Sequence, residues 1–77
     1  MKNDLVLIVI NDGNGDQCGL TYKQRCTATL DQLRHACNRA NSWRIRHGCE
    51  SATNEDIDEA AFAVHAYYFQ HAIECNA

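Results

Sequence analysis

Proline is absent from this 77-residue chain, and none of its four glycines lies between Thr53 and Cys75. Nothing in that stretch forces a break in a helix. Lys and Arg are absent from residues 48–77, so that end carries acid without compensation. The five cysteines, at positions 18, 26, 37, 49 and 75, include no CxxC pair. The longest aliphatic run, Leu5 to Ile10, is too short for a membrane span or a typical signal core, and it lacks a small-residue cleavage site. There is no G-x-S-x-G, no H-E-x-x-H and no Walker loop, so no motif names a reaction. These absences lead us to expect a soluble cytoplasmic chain, with its thiols kept reduced and used as small core residues.

What is present is organised around Thr53 to Cys75. Thr53 with Asp56 makes a capping box, with Asp in the usual Glu position. Glu55, Asp56, Asp58 and Glu59 crowd the first turns, where the helix dipole favours negative charge. At about 100° per residue, Ile57, Ala61, Val64, Tyr68, Ala72 and Cys75 share one stripe. Phe62, Ala66, Phe69 and Ile73 form a second, roughly 130° away. A helix over about 54–75 is predicted. One stripe suffices to dock it on its own domain. The second is either covered as well or forms a patch for another chain.

The rest of the chain is read as an α+β fold in a single domain, 1–77. Leu5 to Ile10 is β-branched and apolar on both alternating faces, which suggests a buried strand over about 4–10. Leu20 to Thr27 alternates apolar and polar, which suggests a half-exposed strand over about 19–27. Together they would form an antiparallel β-hairpin with a basic outer face, turning through Asn11 to Gly19. Asp12, Asn14 and Asp16 begin a calcium-loop spacing, but Gln17 and Lys23 stand where Gly and Glu are required. The glycines there do not form G-x-G-x-x-G. Thr29 with Gln32 caps a helix over about 29–41. Residues 43–47 fit either its continuation or a short strand, and Gly48 ends either one.

Such a small domain is marginal alone, so a second subunit, metal or disulfides are natural supplements. We expect a homodimer, through the long helix or the open face of strand 5–10. His35 with Cys37, His47 with Cys49, and His71 with Cys75 are candidate zinc-ligand pairs, although H-x-C is not a usual zinc spacing. Packing accounts for Cys37 and Cys75 without metal. Cys49 near His47 lacks the orienting group a nucleophile needs, so we expect no catalysis, cofactor or metal.

Charge is segregated along the chain: −2 over 1–19, +5 over 20–47 and −6 over 48–77. The middle offers Lys23, Arg25, Arg39, Arg44 and Arg46, with Tyr22 and Trp43 for stacking, to a nucleic acid. Against this, the chain is acidic overall and lacks a nucleic-acid-binding motif. The sequence fits better a small protein-binding module, an inhibitor or adaptor that docks on a larger machine. Phe62, Phe69 and Ile73 would be its anchors, with Glu55, Asp56, Asp58 and Glu59 steering it to a basic surface. Phage-encoded inhibitors of host defence are viral proteins of this size and style.

Overall fold

The computed structural model describes residues 4–76, with side chains described through residue 70. It contains four helices: α1 (Leu5–Ile10), α2 (Tyr22–Cys26), α3 (Leu30–Arg46) and α4 (Asn54–Asn76). No strand occurs among the described residues, so the α+β expectation is corrected to an all-helical fold. The β-hairpin is absent, and with it any sheet face for a dimer.

Leu5 to Ile10 turns once and a half instead of extending. Leu5 and Val9, one turn apart, are fully buried, while Leu7 is 57% exposed. A short apolar run has no periodicity that separates a strand from a buried helical turn, and here tertiary packing overrides β propensity.

The alternation of Leu20 to Thr27 is likewise overruled, by a cap. Thr21 Oγ1 accepts from the N–H of Gln24 (3.3 Å), and Gln24 Oε1 accepts from the N–H of Thr21 (2.9 Å). This capping box starts α2. Thr29 with Gln32 and Thr53 with Asp56 start α3 and α4 in the same way.

Residues 43–47 are helix and cap, not strand. Asn41 does not stop α3, because its side chain bonds outside the helix. Its Oδ1 accepts from the N–H of Ala52 (3.0 Å), and its Nδ2 donates to Ser51 Oγ (3.3 Å). α3 ends in a Schellman motif at Gly48, whose φ of +85° suits glycine. There the N–H of Cys49 reaches Arg44 O (3.0 Å) and that of Gly48 reaches Ile45 O (3.1 Å).

α3 and α4 pack against each other, and α1 contacts both. Their seam is built from small and branched residues: Leu33, Ala36, Cys37 and Ala40 on α3 against Ile57, Ala60, Ala61 and Val64 on α4. Alanines on both sides allow close approach of the backbones, and Leu5 and Val9 complete the cluster. α2 lies against α4 at the Tyr68 end. No helix among the described residues is long and apolar enough to cross a membrane.

Candidate functional site

The outer face of α4 is where the expected anchors lie. Phe62 and Phe69 are 61% and 64% exposed, and Ala63, Ala66 and Gln70 are exposed beside them. Ile57, Ala61, Val64 and Tyr68, from the other stripe, are buried. Ile73, Ala72 and Cys75 lie outside the described side chains. By helical spacing, Glu55, Asp58, Glu59, Phe62, Ala66 and Phe69 fall along one outer strip, acidic in its first half and apolar in its second. Glu55 and Glu59 are exposed. Asp58 faces Arg34, with Nε to Oδ1 at 2.9 Å. Asp56 is half-buried, and its carboxylate accepts from the N–H of Thr53 in the α4 cap. Beside Phe69, an open apolar depression is lined by His65, Ala66 and Gln70.

Of the basic residues of the middle segment, Arg39 and Arg46 line one surface depression together with Asp16 and Ser42. Lys23, Arg39 and Arg46 are exposed. Arg44 is turned inward: Nη1 donates to Glu50 O (2.9 Å) and Asn41 Oδ1 (3.1 Å), and Nε makes an ion pair with Asp4 at 3.0 Å. Arg25 is 1% exposed, which removes it from any phosphate-binding surface.

Arg25 belongs instead to a buried polar network that the alternating pattern concealed. Its Nε donates to Tyr68 Oη (2.7 Å), and its Nη1 donates to Leu20 O and to Cys18 Sγ (3.8 Å). Its Cζ lies 5.6 Å from the centre of the Tyr68 ring. Nη2 is buried with no hydrogen-bond partner among the described residues. Cys18 connects this arginine to Asp12. One oxygen of the Asp12 carboxylate accepts from the N–H of Cys18 (2.9 Å) and of Gln17 (3.1 Å), and the other from that of Gly15 (3.1 Å). Gly15 allows the loop to close, because a Cβ there would stand 2.9 Å from the carbonyl of Leu20. Burial opposes the charge on Asp12, but its hydrogen bonds with Cys18 and Gln17, aided by Arg25, hold its pKa below the ordinary value. Asp12 is thus the organiser of the α1–α2 loop.

Between α2 and α4 lies a cleft of about 190 Å³. Arg25, Tyr68 and Leu33 line it, with Thr27, His65 and Phe69 also contributing. No group of three or more metal-binding side chains converges among the described residues. Cys37 is buried, and burial pushes its thiol up to about 12, whereas His35 is exposed near Asp31. His47 stacks on Trp43 and bonds its carbonyl at 2.7 Å, and Cys49 is exposed. His71 and Cys75 lie outside the described side chains.

No family model, curated protein or solved structure matches this chain.

Proposed function

We propose that this chain is a protein-binding module. Its outer α4 face docks on a larger protein that presents an apolar groove bordered by Lys and Arg. The observation that carries the reading is the pair Phe62 and Phe69, one on each side of an exposed Ala66, immediately beyond exposed Glu55 and Glu59. Large aromatics held in water on a rigid helix are effective anchors in a groove. The acids would steer the approach, and since α4 through Gln70 contains no Lys or Arg, they select a basic border. An inhibitor that covers a basic nucleic-acid site in the cytoplasm, as phage anti-defence proteins do, is the concrete form of this reading.

The competing occupant of the face is a second copy of the chain. Solution mass across a concentration series separates the two, because a self-paired face gives a dimer near twice 8.7 kDa. The decisive experiment compares capture by the parent chain, Phe62→Glu, Phe69→Glu and Glu55→Lys/Glu59→Lys. All four should remain folded, since these positions are exposed. We expect the aromatic variants to lose the same captured protein, and the charge variant to lose it most at low salt. Capture unchanged by all three variants refutes the reading, as does a dimer that Phe69→Glu dissolves without any captured partner.

A further inference from the structure

We propose that the cleft between α2 and α4 is a binding site for a small carboxylate with an apolar body. This inference is independent of the docking face. It starts from the hydrogen-bond inventory of the cleft. A guanidinium has five N–H donors and no acceptor. Arg25 uses donors on Nε and Nη1, but Nη2 has no partner. Tyr68 Oη accepts from Arg25, and its own O–H proton meets no acceptor among the described residues. Two buried donors from neighbouring helices are therefore unmatched beside one cleft. Leaving such donors unmatched is costly, and an acceptor-only group would satisfy both.

Charge narrows the choice further. Arg25 is buried, yet the ion pairs among the described residues involve Arg34, His35 and Arg44 rather than Arg25. The nearby carboxylate, Asp12, acts on Arg25 through the field, but its hydrogen bonds go to three backbone N–H groups and it makes no ion pair with the guanidinium. One monoanion would pair with the guanidinium directly, whereas a dianion, beside Asp12, would leave a larger excess of charge buried. A carboxylate also matches the planar fork of arginine. Leu33 and Phe69 line the cleft and favour a hydrocarbon body. The volume, about 190 Å³, lies below that of drug-sized pockets and suits a small acid rather than a nucleotide or other large cofactor.

The test is a titration of the isotopically labelled full chain with benzoate, and in parallel with benzamide, which has nearly the same shape without the charge. Benzoate should shift the Arg25 Nε–H resonance and the backbone amides of Thr27, Ala28, His65 and Phe69 saturably. Benzamide should not. Tyr68→Phe keeps the ring and removes the hydroxyl donor, so benzoate affinity should fall by about fivefold or more. Equal responses to the two ligands, a response that does not saturate, or unchanged benzoate affinity in a folded Tyr68→Phe would overturn the proposal. Should Tyr68→Phe fail to fold, the benzoate–benzamide contrast on the parent chain decides the matter alone. Phe62→Glu, outside the cleft, should leave benzoate binding unchanged while abolishing capture by the docking face.

Discussion

The two ends of the core are built on different principles. Along the α3–α4 seam, Leu33, Ala36, Ala40, Ala60, Ala61 and Val64 meet without a polar atom in their side chains. At the α2 corner, Asp12, Cys18, Arg25 and Tyr68 are equally inaccessible, yet they are joined by hydrogen bonds. The seam draws its stability from apolar area removed from water, a sum of many small contributions. The corner draws little net stability from each bond, but every broken bond leaves a donor or acceptor stranded. Damage at the seam should therefore be graded, and damage at the corner should spread through the network.

Three measurements test that contrast. The largest effect is expected for Asp12→Ala, which strips the acceptor from three backbone N–H groups at once. At about 1–3 kcal/mol for each stranded buried donor, discounted for the partly exposed ones, the loss should be roughly 3–6 kcal/mol, a large share of a small domain's stability. Denaturant unfolding should show a shifted midpoint or a chain already unfolded. A change under about 1 kcal/mol would mean that water replaces the carboxylate easily and that the corner is not a cooperative unit.

Next is Leu33→Ala at the seam, with an expected cost of about 2–5 kcal/mol, depending on how far the site collapses. Combined with Val64→Ala, the losses should be graded and nearly additive if the two side chains do not share a cavity. A double mutant far less stable than the sum would show that the seam also fails as a unit.

The smallest effect is the pH profile, in which the corner should weaken at both extremes and the seam at the alkaline one. Asp12 has a folded-state pKa below its unfolded value, so its contribution is present at neutral pH and is lost as pH falls through the folded value. Cys37 has a folded-state pKa raised from 9.0 to about 12, so its contribution is present below pH 9 and is lost as pH rises towards 12. Asp12→Asn should flatten the acid limb of stability against pH, and Cys37→Ala should flatten part of the alkaline limb, to which Cys18 and Tyr68, also raised by burial, contribute the rest. If either substitution flattened the opposite limb, that assignment would fail.

The two long helices were legible because their signals are local. A Thr followed three residues later by Gln or Asp opens each one, and the buried stripe of α4 follows from the helical period. The same signal stands at Thr21 and Gln24, where the alternation of Leu20, Tyr22, Gln24 and Cys26 conceals it. Giving the cap precedence over a four-residue alternation would have found α2. No such signal exists for α1, since six apolar residues suit a strand or a buried turn equally. The exposure of Phe62 and Phe69 could be anticipated because a short chain has little with which to cover two faces of one helix. The burial of Arg25 could not, because its partner Tyr68 lies 43 residues away. Asp12 drew attention for a metal-like spacing, whereas Asp before Gly and Asn more often gathers its own backbone amides.

The clasp at Asn41 has a consequence for engineering. One turn of α3 holds the far side of the connection to α4: Asn41 grips Ala52 and Ser51, and Arg44 grips the carbonyl of Glu50. Gly48 has nothing within 4 Å of where a Cβ would stand, and Cys49 beside it is exposed. The backbone is fastened on both halves, since the N–H groups of Gly48 and Cys49 close the end of α3, but only around Gly48 and Cys49 does the surface stand open. A reporter attached to the exposed Cys49 thiol would leave those backbone bonds in place, while Asn41 and Arg44 keep the register of α4 and the angle at which it presents Phe62 and Phe69.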